Sequence, residues 1–186
     1  MASGKLVITI SGPHGVGKST YAKALSKSFG LRHVSAGTLF RKMARDRGMS
    51  LMELTNYADK QPDVDRLIDS RTEDEAKVGS VVLDGVLTGW IAKNADLKVF
   101  LEAPQEARIR RIAKRDGLTY AEAKKITLIR EEVERKRFLR YYGIDPRDES
   151  IYDIIIDTHI LPIESTIAVL EEITRTLIAE GARRNQ

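Results

Sequence analysis

A chain of 186 residues can bury one substantial core, and 42% hydrophobic with 31% charged residues excludes both a disordered tail and a membrane span. The absence of cysteine excludes disulfides, thiolate nucleophiles and cysteine-held metals. A formal charge of +4 suits anionic partners, although a mixed-charge solvated surface accounts for the totals equally well.

The first residues, Met1-Ala2-Ser3-Gly4-Lys5, run into a strand pattern without a signal-peptide core, so a cytoplasmic location is expected. Leu6-Val7-Ile8-Thr9-Ile10 reads as a buried strand. A glycine-rich loop follows, then a helix from Lys18 that Gly30 closes as a C-terminal cap. A short strand around His33-Val34 leads into a helical insert from about Gly37 to Lys77, where a plain crossover needs only about a dozen residues. Within it, Ser50 and Glu53 form a capping box. Val81-Val82-Leu83 and Leu97 to Leu101 are the next strands, and Pro104 falls in the first turn of the helix after them. Thr119 with Glu122 opens a long helix to about Tyr142; Ile154-Ile155-Ile156 is the last strand, and Pro162 starts the last helix. Near-continuous apolar strands separated by helices predict a parallel sheet covered on both faces, a three-layer α/β fold in one domain.

The loop Gly12-Pro13-His14-Gly15-Val16-Gly17-Lys18-Ser19 matches the phosphate-binding pattern G-x-x-x-x-G-K-[ST]. Its backbone N–H groups, at a helix N-terminus, make an anion-binding nest. A chance match would lack the strand before and the helix after; both are present. Lys18 is expected to bridge the β- and γ-phosphates, Ser19 to offer its hydroxyl to Mg²⁺, and Thr20 to complete the nucleotide site. His14 stands at a free position and reads as filler. Asp84-Gly85 ends the third strand, where a carboxylate beside the first strand can hold Mg²⁺; the alternative is a simple turn Asp before Gly.

No Asn-Lys-x-Asp follows a strand, which argues against a GTPase, and the length excludes large motor ATPases. A small kinase remains. One that phosphorylates a phosphate needs arginines more than a general base, because the acceptor is already largely ionised at pH 7 (second pKa about 6). Arg108, Arg111 and Arg115 share one helix face, and Arg130, Glu134 and Arg137 share another; the alternative is a salt-bridged solvated helix. Arg41 follows the Gly37 turn and is expected beside the acceptor phosphate. The expected catalytic set is Lys18, Asp84, Arg108, Arg111 and Arg130. Asp63, Asp65 and Asp69 could face a base or solvent, and solvent is the expectation; Lys124, Lys125, Lys136 and Arg140 are expected at the surface. A rival from another class is an RNA-binding ATPase using segment 108–140 as a phosphate track. Interleaved Glu residues and the lack of an aromatic stacking platform tilt against it.

The whole set resembles the archaeal-type cytidylate kinases of the nucleoside-monophosphate kinase family, over about Leu6 to Ile173. The resemblance rests on His33-Val34-Ser35-Ala36-Gly37 with Phe40-Arg41, Arg47-Gly48-Met49-Ser50, Val81 to Gly85 with Gly89-Trp90, Ala95-Asp96-Leu97-Lys98, Arg130 to Arg137, and Tyr142-Gly143-Ile144-Asp145 with Ser150-Ile151-Tyr152-Asp153. It implies a five-stranded parallel sheet in the order 2-3-1-4-5. It also implies a core of residues 1–36, 78–114 and 143–186, an acceptor-binding insert at 37–77 and a lid near 115–120. The implied reaction is transfer of the ATP γ-phosphoryl group to CMP, and to dCMP, with Mg²⁺. AMP or dTMP are the alternative acceptors. A monomer or weak homodimer is implied, with no nucleic acid or membrane partner. Ser35, Gly37, Arg41 and Gly85 match the acceptor pocket; Arg130, Glu134 and Arg137 match residues that contact the acceptor nucleotide; Thr158 matches the segment near the donor adenine. Val86 stands where the family commonly has Arg, so acceptor contacts are expected to differ there.

Overall fold

The computed structural model describes residues 6–184; the N-terminal stretch Met1–Lys5, read above for its lack of a signal core, lies outside them with residues 185–186. Strand β1 (Val7–Ser11) is buried at every position because it lies between β3 (Val81–Asp84) and β4 (Leu97–Glu102), parallel to both. Strand β2 (Arg32–Ser35) pairs with the outer side of β3, and β5 (Ile154–Asp157) with the outer side of β4. The order is β2-β3-β1-β4-β5, as expected.

Alternation splits each strand between two cores. Ile8, Ile10, Val82, Val99 and Leu101 pack under α1 (Lys18–Phe29) and α8 (Ile163–Arg184), against Tyr21, Leu25 and Leu170. Val7, Val81 and Leu83 face the other way, toward Ala76 and Ala92. The reading of Ile154-Ile155-Ile156 as a buried run holds less well, since β5 is an edge strand and Ile155 is 45% exposed.

The long insert is three helices, α2 (Ala36–Asp46), α3 (Leu51–Lys60) and α4 (Asp63–Val78), which pack around their own cluster of Phe40, Ala44, Leu54, Ala58, Val64 and Ile68. Helix α2 starts directly after β2. Ser35 caps it, its Oγ accepting the Thr38 N–H at 3.2 Å, so Gly37 lies within the first helical turn and not in a turn of its own. Both expected capping boxes form, at Ser50/Glu53 and at Thr119/Glu122.

A one-turn helix α5 (Thr88–Ile91) follows β3, and α6 (Gln105–Asp116) follows β4. Helix α7 (Tyr120–Tyr142) packs on α6 and on α3 of the insert, which makes it the strut between the two sides of the molecule. In the segment expected as a lid, α6 runs to Asp116 and α7 begins at Tyr120, leaving Gly117-Leu118-Thr119 as the turn between them. No helix among the described residues is long and apolar enough to cross a membrane.

Candidate active site

The site lies at the C-terminal ends of β1, β2 and β3, where parallel sheets present their loops. The phosphate loop leaves β1 after Ser11 and enters α1 at Lys18. Its path takes Gly12, Gly15 and Gly17 to positive φ. Gly12 has φ +136° and Gly15 φ +84°, and a Cβ on Gly15 would come within 2.6 Å of the Arg108 carbonyl oxygen. Lys18 folds back over the loop, its Nζ donating to the carbonyls of Gly12 at 2.7 Å and Pro13 at 2.8 Å. Burial lowers its amine to about 8, against the opposing pull of Asp84, Glu134 and Glu131.

Asp84 is nearly sealed and draws three groups to itself. Ser19 Oγ donates to its Oδ2 at 2.8 Å, Ser35 Oγ to the same oxygen at 3.2 Å, and His33 Nε2 lies 2.6 Å from Oδ1. Sheet register explains the convergence, because Asp84 stands beside Ile10 on one side and Ser35 on the other. The donor set is one carboxylate and one hydroxyl. Among the described residues no cluster of three or more His, Cys, Asp or Glu could hold a metal. Such a set fits Mg²⁺, which keeps waters and substrate phosphate oxygens as its other ligands, better than a metal that needs a full protein cage.

A cleft of about 770 Å³ opens over the loop. Lys18, Ser19 and Asp84 line it, together with Arg41 from α2, Arg111 and Arg115 from α6, and Arg130 from α7. Arg41 is lowered by burial and then by the nearby charges of Arg115 and Arg130. Guanidinium groups that repel one another across a cleft favour an anion between them. The insert supplies an apolar part of the wall, including Phe40, Leu51 and Ile68; Arg130 lies 5.3 Å over the Phe40 ring.

Residues 7–160 match the model of the cytidylate kinase-like family. The chain belongs to that family. A cytidylate kinase of Staphylothermus marinus is 48% identical over 176 residues, covering 94% of this chain and 99% of that protein. One from Pyrococcus horikoshii is 47% identical over 171 residues, with 92% and 89% covered. Among solved structures, an uncharacterized protein from Eubacterium ventriosum superposes with a TM-score of 0.70 at 17% identity, covering 93% of this chain and 99% of that one. Shikimate kinase from Bacteroides thetaiotaomicron gives 0.60 at 15% identity, with 91% and 98% covered. At those identities the likeness is of fold alone.

In this member of the cytidylate kinase-like family, His14, Gly15, Val16, Gly17, Lys18, Ser19, Thr20, Gly37, Arg41, Asp84, Gly85, Arg111, Arg130, Glu134 and Arg137 share the one cleft. Others stand back from it. Gly12 is packed against Leu101, and Pro13 lines a second cavity behind the loop. Ser35 is engaged as the α2 cap and on Asp84. Arg108 corrects its expected place opposite the transferred group. Its guanidinium reaches behind the loop, donating to the His14 carbonyl at 2.7 Å and to Glu131 at 2.6 Å, so it braces the loop from the rear. Thr158 is likewise not open to a base: it is 2% exposed, its hydroxyl lies 3.1 Å from both the Val16 and the Glu102 carbonyl, to one of which it donates, and it accepts from Arg111.

The arginine face of α6 therefore resolves into different parts. Arg111 anchors to Thr158 while lining the cleft, Arg115 lines it beside Asp116, and Arg108 turns away. Val86 lines the cleft next to Gly85, and the cations at that end come from α2, α6 and α7.

The expected solvent-facing acids of the insert are a second correction. Asp65 and Asp69 lie one turn apart on the inner face of α4, the third helix of the insert. Asp65 forms a 2.7 Å ion pair with Arg137, and Asp69 accepts from the Tyr142 hydroxyl. Asp63, at the start of α4, faces solvent beside Arg66. Arg140 is at the surface as expected, its side chain 51% exposed, and pairs there with Asp59. Sequence reasoning also passed over His33 on Asp84 and Glu131 on the loop. For His33 the signal was available: it lies two residues before Ser35, so both point to the same face of β2.

Proposed function

We propose that the protein transfers the γ-phosphoryl group of ATP to CMP, giving ADP and CDP, and that dCMP is also accepted. The observation that carries this reading is the gathering of Arg41, Arg115 and Arg130 in one cleft with Lys18, Ser19 and Asp84. A phosphate-bearing acceptor is what such an arginine cluster favours, and likeness to the cytidylate kinases points to cytosine as its base.

In this mechanism the loop amides and Lys18 hold the β- and γ-phosphates of ATP. Arg41 and Arg130 hold the acceptor phosphate, while Arg111 and Arg115 cover the transferring group from the α6 side. Ser19 and Asp84 would hold Mg²⁺, which neutralises charge on the donor phosphates. An oxygen of the acceptor phosphate forms a bond to the γ-phosphorus as the bond to the β,γ-bridging oxygen breaks, and that oxygen leaves with ADP. No general base is required, since the acceptor oxygen is already ionised. Catalysis is positioning plus charge stabilisation, and the cleft must exclude water to prevent hydrolysis of ATP. Gly37, Gly85 and the apolar wall of the insert shape the acceptor pocket; the partners are small molecules of the cytoplasm.

The RNA-binding alternative loses support from the pairing of the basic segment. Arg108 is held by Glu131, Arg110 by Glu106, Arg130 by Glu134 and Arg135 by Asp145. A coupled ADP-release assay across CMP, dCMP, UMP, AMP, dTMP and GMP tests the proposal. CMP and dCMP should give the highest kcat/KM. Acceptor-independent ADP release, or turnover with no pyrimidine monophosphate, would overturn it.

A further inference from the structure

We infer that Glu134 is a positioning residue that ties the phosphate loop to Arg130 through His14, making the donor loop and the acceptor arginine one unit. The inference rests on the reading of the two ends of the cleft given above.

Glu134 lines the cleft, and each of its oxygens already has a partner. Oε2 accepts from His14 Nε2 at 2.7 Å, and Oε1 accepts from Arg130 Nε at 2.8 Å. Burial alone would raise the Glu134 carboxyl, yet Arg130, His14 and Arg137 together hold it well below the usual carboxylate range. An ionised carboxylate only accepts, so the proton of this contact sits on His14 Nε2. Burial lowers His14 despite the opposing pull of Glu134, so a neutral imidazole is sufficient for the link.

The same residue is gripped through its backbone. The His14 N–H donates to Glu131 Oε1 at 3.1 Å, and the His14 carbonyl accepts from Arg108, which itself bonds Glu131. Ring, amide and carbonyl of His14 are thus all fixed by α6 and α7. The phosphate-loop pattern leaves this position free, so no phosphate contact calls for an imidazole there. Arg130, Glu131 and Glu134 fall within little more than one turn of α7, which allows a single rigid helix to set both the loop and the acceptor cation. A buried carboxylate with two cationic or N–H partners loses much of its value if either is removed, which makes the three groups energetically coupled.

The test is a double-variant cycle on donor binding alone. The dissociation constant of a non-hydrolysable ATP analogue with Mg²⁺ is measured for the wild type, His14→Ala, Arg130→Met and the double variant, each checked for folding by thermal melting. Removing Arg130 should weaken the analogue about threefold or more in the wild-type background and have little effect once His14 is absent. His14→Gln, which keeps an N–H donor for Glu134, should restore most of the coupling. In steady state, Glu134→Gln should lower kcat and also weaken the ATP analogue, which loss of a contact to the acceptor alone would not do. Equal effects of Arg130→Met in both backgrounds, no effect in either, or a Glu134→Gln variant with KM for CMP raised tenfold and unchanged analogue affinity, would overturn the inference. The analogue cycle uses no monophosphate. A wild-type protein that failed to phosphorylate CMP would therefore count against the proposed function, while the cycle would still decide the link.

Discussion

Arg137 on α7 and Asp65 on α4 form a 2.7 Å ion pair in which the arginine side chain is 1% exposed and the carboxylate 7%. Arg137 also donates to the Thr55 carbonyl of α3 at 3.2 Å, so one side chain clamps two insert helices to the strut. The pair sets the two charges against each other where little of either side chain is exposed. Breaking it from one side leaves an uncompensated buried guanidinium. Asp65→Ala should therefore destabilise the fold by about 3–5 kcal/mol in urea denaturation. A loss within the range of an exposed pair, below about 1 kcal/mol, would contradict the burial described.

One turn along α4, burial raises the Asp69 carboxyl to about 6, with the Tyr142 hydroxyl donation pulling the other way. The folded state then binds this proton more tightly than the unfolded chain, where the group titrates near about 3.9. Its stabilising contribution is full below about pH 4 and is lost as pH rises through about 6. Asp69→Asn removes the titration while keeping an acceptor for Tyr142. Measured as the difference in urea midpoint between variant and wild type, the variant should gain on the wild type from pH 4 to pH 7. Parallel profiles would show that Asp69 does not titrate in this range.

Lys18 gives a pH dependence of opposite use. Its amine is lowered to about 8 by burial, but phosphate binding needs it charged. Affinity for an ATP analogue should fall by up to roughly tenfold per unit as pH rises above about 8. Calorimetry in buffers of different ionisation enthalpy should report proton uptake on binding in that region. Lys18→Arg, charged throughout, should lose the proton uptake.

Asp84 gathers Ser19, Ser35 and His33, and in the proposed mechanism it holds Mg²⁺ with Ser19. Asp84→Asn should lower kcat on the order of 10²-fold and raise the Mg²⁺ concentration needed for half-maximal rate. KM for CMP should change by less than about threefold. An unchanged Mg²⁺ dependence would argue that Asp84 serves only to cap the hydroxyls.

The fold was legible because its signals are local. Buried apolar runs, the loop pattern and the Ser50 and Thr119 capping boxes each specify an element within a few residues. The strand order was reached through family resemblance, and the sheet reproduces it. The edge position of β5 was not legible, because an apolar triplet looks alike in a central and an outer strand. Side-chain partnerships were the least legible. Periodicity places Arg108, Arg111 and Arg115 on one face of α6, but only the approach of the loop and of Glu131 turns Arg108 behind the site. Asp65 and Asp69 read as solvated acids, because nothing local reveals that α7 will bring Arg137 and Tyr142 against them, 72 and 73 residues further along the chain.

The most direct test of the central claim is ³¹P NMR of the protein with equimolar ATP and CMP in Mg²⁺. The arginine cluster that shares the cleft with the phosphate loop predicts that the γ-phosphoryl signal reappears as the β-phosphate of CDP, in step with the formation of ADP. Disappearance of the γ signal into inorganic phosphate, with CMP unchanged, would contradict it.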